Sequence, residues 1–382
     1  MEKPTTLSQE FTLLSDHEYR IEVSETQKLK LQIIEGVAEV KGQELLNEKY
    51  YVFSDIKTYI YTFHGCKIRV EGEYEVAYVS EYTHVSKLYN FFRSLISPEK
   101  VLIVGKGRFT ACTTLINYFI RIHKKILFTE LDVTTGNLVF PGVLGSVEID
   151  KLIAYNEGIN QSSILAYFYG TTEYKNIEYY NTILRELSNT IKEKEFKDTQ
   201  IILGPNNPDR IESIIKEFPI DKVLVVGDER MYNMLKVPNK ISIHGGNGYV
   251  EDNYLIDKRI HYYFYGRKGD LTPYSLSLRK EYEIVRIGEE HIAPMSALPL
   301  GAARKVSSDT IKPVEPVERA VMGISQANNI NEVDKLPVIG FVVVNFVVKK
   351  ENEIESVKIL CPQSKIPKQK FYIQGDIKYS QF

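Results

Sequence analysis

The chain has 382 residues, a formal net charge of −2 and 43% hydrophobic content. That length favours two or three domains with packed cores. The near-neutral charge gives no whole-chain argument for nucleic-acid binding, and no apolar run approaches the ~20 residues that a membrane-spanning helix needs. The opening Met1-Glu-Lys-Pro-Thr-Thr lacks a signal-peptide layout, so the cytosol or the nucleus is expected. Cys66, Cys112 and Cys361 are too far apart for a disulfide framework or a Cys-rich zinc site. The 26 tyrosines accompany abundant Ile, Lys and Asn, so their number is read as codon bias rather than as base stacking.

Residues 18–85 read as all-β. Short runs such as Arg20-Ile-Glu-Val, Leu29-Lys-Leu-Gln-Ile-Ile and Lys67-Ile-Arg-Val are punctuated by Gly36, Gly42, Gly65 and Gly72, which predicts a small sandwich or barrel. Val85 to Ile96 then reads as a helix, and the period changes to apolar strands alternating with amphipathic helices. Strands are predicted at 101–104, 126–131, 201–203, 222–226 and 240–243. Helices are predicted at 113–123, 177–193, 208–217 and 229–235. After Tyr282 the pattern returns to β, with 294–336 partly loop and strong strands around 338–348 and 356–360. The predicted domains are therefore 1–90, 91–285 and 286–382. Lys365, Lys368 and Lys370 form a short basic cluster, read as a solvated edge.

The stretch Val101-Leu-Ile-Val-Gly105-Lys-Gly107-Arg108-Phe109-Thr110 has the strand–glycine–helix layout of a phosphate loop but is not G-x-x-x-x-G-K-[ST]. Two registers are open. Counting forward from Gly105 puts Thr110, Ala111 and Cys112 at the second Gly, the Lys and the hydroxyl. The preferred register lays Gly107-Arg108-Phe109-Thr110 over Gly-Lys-Ser-Thr in a shortened loop. Arg108 is a planar fork rather than a slim ammonium, and Phe109 cannot ligate a metal. The stretch reads either as a plain strand–turn–helix corner capped by Thr110 or as a residual anion site at a helix N-terminus.

Other motifs run along the whole chain: Phe63-His-Gly65-Cys66, Asn117-Tyr118, Glu130-Leu-Asp132, Phe140-Pro-Gly142, Tyr169-Gly170-Thr-Thr172, Arg259-Ile-His261-Tyr-Tyr-Phe-Tyr-Gly266 and Leu298-Pro-Leu-Gly301. In number, order and spacing they resemble the RNA 5′-hydroxyl polynucleotide kinase family, above all the kinase-like subunits of the pre-mRNA cleavage and polyadenylation factor. The resemblance implies an α/β fold: a central P-loop-type, largely parallel sheet with helices, flanked by an N-terminal β-sandwich and a small β-rich C-terminal domain. It also implies a degenerate site. Arg108, Asp132 and His261 would be catalytic relics, with Asp132 at the family's acid near the nucleophile and Mg²⁺. Ile256 and His261 replace two lid arginines, while Arg259 lies outside that pair. No Trp is present for the family's RNA clamp, and the matching stretch is Ile201-Ile-Leu-Gly204-Pro205-Asn-Asn-Pro208. Glu18 and Lys57 match positions that hold the nucleotide base. With Gly105, Gly107, Arg108 and Thr110 they make a vestigial nucleotide set.

The expectation is a nuclear, non-enzymatic subunit of the cleavage factor, without metal or cofactor. Its central domain would hold a segment of the scaffold subunit, and it would meet RNA only indirectly. Two alternatives stay open. One is a non-catalytic module that binds ATP. The other is an active 5′-hydroxyl kinase with Arg108 serving for Lys and Asp132 as base.

Overall fold

The computed structural model describes residues 8–96, 98–159, 163–243, 256–278, 281–288, 311–351 and 353–380. The Leu298–Gly301 motif lies outside them.

Alternation builds the N-terminal part. Leu29, Leu31 and Ile33 turn inward while the residues between them stay exposed or half-buried. Two antiparallel sheets result. One orders its strands Gln9–Leu13, Cys66–Gly72, Leu29–Gly36 and Tyr50–Phe53. The other runs Gln43–Leu45, Ala38–Val40, Ile56–Thr62, His17–Val23 and Val76–Ser80. Tyr19, Leu31, Phe53 and Ile68 share the core between them.

In the centre the strands are apolar without alternation because helices cover both faces. Lys100–Gly105 lies between Thr199–Leu203 and Lys222–Val226, parallel to both. Val101 and Ile103 pack beneath helix Arg108–Arg121. Leu102 and Val104 face helices Ile177–Glu193 and Pro208–Glu217 on the other side. Lys240–Ile243 and Ile126–Glu130 extend the parallel sheet. Two strands absent from the sequence expectation, Val143–Ile149 and Leu165–Phe168, continue it antiparallel. Their side chains are almost all buried, so no period betrays them.

Ala166 pairs with Val338, which joins this sheet to the C-terminal strands Val338–Lys350, Ala320–Ser325, Phe371–Lys378 and Glu353–Cys361. Tyr274–Leu278 and Glu283–Ile287 belong to that C-terminal part. Among the described residues, fourteen strands thus form one sheet. The joint is close: a Cβ on Gly375 would come within 2.2 Å of the Gly170 carbonyl oxygen. The three cysteines are buried and unpaired with one another.

Candidate functional site

The phosphate-loop equivalent is a two-residue turn. Gly105 ends its strand at φ +96, where a Cβ would sit 2.2 Å from the Val226 carbonyl oxygen, so only glycine fits. Lys106 is exposed. Gly107, at φ +73, caps the helix without a side chain, and Arg108 is its first residue. The helix therefore begins five residues before the predicted Thr113. Thr110 is its third residue and not its cap, which corrects the capping expectation: the left-handed glycine has already turned the chain.

Arg108 folds back into the protein. Its Nη2 donates to Asp132 Oδ2 at 2.6 Å and its Nη1 to the Gly105 carbonyl at 3.2 Å. Arg108 is 3% exposed and Asp132 1%. The other Asp132 oxygen, Oδ1, accepts from the Thr134 amide at 2.9 Å, the Thr134 hydroxyl at 2.8 Å and the Tyr174 hydroxyl at 3.1 Å. Burial and the Asp132 charge push the Tyr174 phenol well above its ordinary range. The Gly105 amide donates to Asn206 Oδ1 at 2.8 Å. Asn206 lies in the stretch that matches the family's clamp, so this stretch supports the turn. Sequence reasoning missed Thr134, Tyr174 and Asn206, since a lone Thr, Tyr or Asn carries no spacing signal.

These residues do not fit Mg²⁺ and a triphosphate in this arrangement. The guanidinium that would meet phosphate is held by Asp132, both Asp132 oxygens are engaged, and Phe109 offers no oxygen. Among the described residues no group of three or more His, Cys, Asp or Glu side chains is arranged to hold a metal.

A second buried carboxylate stands two residues upstream. Glu130 accepts from the Thr135 hydroxyl, from the Asn137 amide and side chain, and from the Leu138 amide, at 2.6 to 2.9 Å. Burial nevertheless holds its carboxyl above the usual carboxylate range. Asn137 Oδ1 in turn accepts from Arg259 at 3.1 Å. Arg259 is thus buried structure that ties helix Ile256–Tyr265 to the loop after Glu130.

The remaining candidates do not converge on the loop. Glu18 is buried against Arg20 at 2.5 Å, and burial raises its carboxyl while Arg20 opposes the shift. Lys57 makes an exposed pair with Glu22 at 2.8 Å. Strand register places Lys57 opposite Glu22, four residues or about 13 Å along from Glu18. His261 stacks on Tyr265 and shares a 2.9 Å hydrogen bond with Tyr379, so it fastens the helix to the C-terminal strands. Ile256 opens that helix, partly exposed.

Beside the loop, a cleft of about 300 Å³ opens between the sandwich and helix Ile256–Tyr265. Phe53, Phe109, Tyr155, Tyr262, Lys41 and Arg267 line it.

Helix Arg108–Arg121 is anchored at its far end as well. Asn117 bonds the carbonyls of Lys41 and Ile153 and the amide of Ile153 at 2.9 to 3.0 Å. Tyr118 donates to Glu39 at 2.5 Å, and Arg121 reaches Glu39 at 2.8 Å and Glu44 at 3.1 Å. The sandwich therefore rides on the helix that starts at the loop.

Comparison with known proteins supplies the family. Residues 12–97 match the N-terminal beta-sandwich domain of polyadenylation factor. Residues 104–245 match the P-loop region of mRNA cleavage and polyadenylation factor CLP1, and 271–381 match pre-mRNA cleavage complex II protein Clp1. A human relative named polyribonucleotide 5′-hydroxyl-kinase Clp1 is 29% identical over 419 aligned positions, covering 99% of this chain and 97% of its own. A chicken protein of the same name is 28% identical over 97% of this chain and 96% of its own. The protein CLP1 homolog of Anopheles gambiae is 27% identical over 97% of each chain. A solved wild-type Clp1p–Pcf11p complex shares the fold with a TM-score of 0.80 at 17% identity, over 98% of each chain.

One expectation is overturned here. The sequence alone pointed to a chain that is no enzyme. Relatives that align from end to end carry the name polyribonucleotide 5′-hydroxyl-kinase, and that finding stands against the expectation. The expectation weighed the loop side chain by side chain, and a missing Lys is not by itself a missing activity.

Proposed function

Because the chain belongs to the Clp1 family of pre-mRNA cleavage and polyadenylation proteins, we propose that it is the Clp1-type subunit of a nuclear cleavage factor. Its task is to hold a Pcf11-type partner segment against the central domain. The observation that carries this reading is the end-to-end alignment with Clp1 proteins, from sandwich to C-terminal strands. A solved fold neighbour was captured with Pcf11p, which gives the partner its class. The construction supports such a role. One continuous sheet spans the central and C-terminal parts, and the helix Arg108–Arg121 fixes the sandwich, so a partner would meet a rigid surface. RNA would reach the chain through the assembled factor. Co-purification from the native source should recover a Pcf11-type subunit and other cleavage-factor proteins. Recovery without any of them would refute the proposal.

The names of the relatives favour a second reading, phosphoryl transfer to an RNA 5′-hydroxyl. In that reading the Arg108–Asp132 contact would have to open, freeing Asp132 to be the acid beside the reacting hydroxyl and Arg108 the cation of the loop. Transfer of labelled phosphate from ATP to a 5′-hydroxyl oligoribonucleotide tests it directly. Labelled product lost in Asp132→Asn supports the reading, and its absence with the assembled factor refutes it.

A further inference from the structure

We propose that the edge strand Val76–Ser80 of the sandwich is a docking site, where a basic, extended peptide segment of a partner protein adds as a further β-strand. The inference goes beyond the Pcf11-type contact, which belongs to the central domain, and does not rest on it.

Among the described residues, Val76–Ser80 is the last strand of its sheet and pairs with His17–Val23 alone. Such a strand turns alternate amides and carbonyls outward with no neighbour to meet them. The register sets Val79 opposite Tyr19 and Ala77 opposite Ile21, on the face that makes the core. Yet Val79 is 37% exposed. The facing sheet explains this. Its outermost strand, Gln9–Leu13, lays Phe11 against Tyr19 with ring centroids 4.9 Å apart, so it packs over the inner strand and leaves Val76–Ser80 overhanging. Val76 and Tyr78, on the opposite face, are exposed as well, and so is Tyr82 just beyond the strand. A strand added here would pair the outward backbone groups and cover apolar side chains on both faces. The edge is held in place for this: Arg20 donates to the Tyr82 carbonyl at 2.7 Å and to the Tyr78 hydroxyl at 3.3 Å.

Charge names the occupant. Residues 71–81 contain Glu71, Glu73, Glu75 and Glu81 and no Lys or Arg. Glu73, Glu75 and Glu81 are exposed. On the two neighbouring strands, Arg20 is paired with Glu18 and Lys57 with Glu22. This rim repels a nucleic-acid backbone. It also repels a second copy of the chain. Antiparallel pairing of two such strands about Tyr78 would set Glu75 of each across from Glu81 of the other, and parallel pairing would set each glutamate beside itself. Like charges across a strand pair are destabilising. A segment with Lys or Arg flanking β-branched residues meets the same carboxylates with attraction.

The probe is a capped nonapeptide with two Lys at each end and Val-Thr-Val-Thr-Val between them, titrated into the full chain. It should bind, slow hydrogen exchange of the amides in 76–80, and lose affinity as salt is added. The same peptide with Glu for Lys should not bind. Pro in place of its Thr residues removes ladder donors and should abolish the protection. In the protein, Glu75→Lys/Glu81→Lys should weaken binding about tenfold, since two exposed ion pairs are lost and reversed. The peptide variants keep the test open if that double variant fails to fold. Unchanged exchange in 76–80 at millimolar probe, equal protection by the acidic or the proline peptide, or unchanged affinity in a folded Glu75→Lys/Glu81→Lys would overturn the proposal. So would protection of 76–80 that grows with the concentration of the chain alone, the mark of a second copy. No Pcf11-type subunit enters these measurements, so a failed edge site and a failed partner assignment give different results.

Discussion

The two ends of helix Arg108–Arg121 make opposite use of charge. At the loop end, the Arg108 guanidinium and the Asp132 carboxylate meet inside the central domain, both almost fully buried. At the far end, Arg121 is a third exposed and shares Glu39 with the Tyr118 hydroxyl and Glu44 with solvent. A sealed pair is costly to break because neither partner can return to water. A pair at the rim of an interface contributes little by itself. The helix is thus anchored by charge at the loop and by hydrogen bonding and packing at the sandwich.

The largest expected effect breaks the sealed end. Arg108→Ala leaves Asp132 buried without its cation and should cost about 3 kcal/mol of stability or more, read by chemical denaturation of the full chain. Next comes the sandwich end. Asn117→Ala removes the hydrogen bonds to the Lys41 and Ile153 carbonyls and the Ile153 amide, and should cost about 2–3 kcal/mol. Tyr118→Phe removes one hydrogen bond to a carboxylate that Arg121 still holds, at about 1–2 kcal/mol. Arg121→Ala should fall below about 1 kcal/mol. If Arg121→Ala cost as much as Arg108→Ala, the contrast between the ends would be lost.

The smallest effect concerns pH. Burial raises the Glu39 carboxyl above its ordinary 4.5, against the opposing pull of Tyr118 and Arg121. A carboxyl raised on folding holds its proton more tightly in the folded state. Its stabilising contribution is therefore full below about 4.5 and is lost as pH rises through the higher folded value. Glu39→Gln should flatten that part of the melting profile relative to the wild type, and an unchanged profile would refute the assignment.

Much of the fold was legible because its signals are periodic. Leu29, Leu31 and Ile33 announce a half-buried strand, and the helix 177–193 is present from its first predicted residue to its last. Val143–Ile149 escaped because uniform burial erases alternation. The start of the loop helix escaped because Phe109 and Thr110 read as poor helix formers, while the left-handed Gly107 that sets the start leaves no pattern. In the site, the altered loop was legible from Gly105-Lys106-Gly107-Arg108. The meeting of Arg108 with Asp132, 24 positions apart, was not, since only the parallel sheet brings those strand ends together. The expectation of no enzyme met a contrary finding for a related reason: it judged activity residue by residue, while a relative aligned from end to end carries the name of a kinase.

The proposed role stands or falls on binding between the purified full chain and the Pcf11-type subunit of the same organism. A stable one-to-one complex should survive size-exclusion chromatography and protect central-domain amides from hydrogen exchange. Absence of a complex, or protection confined to the exposed strand Val76–Ser80 of the sandwich, would contradict that role.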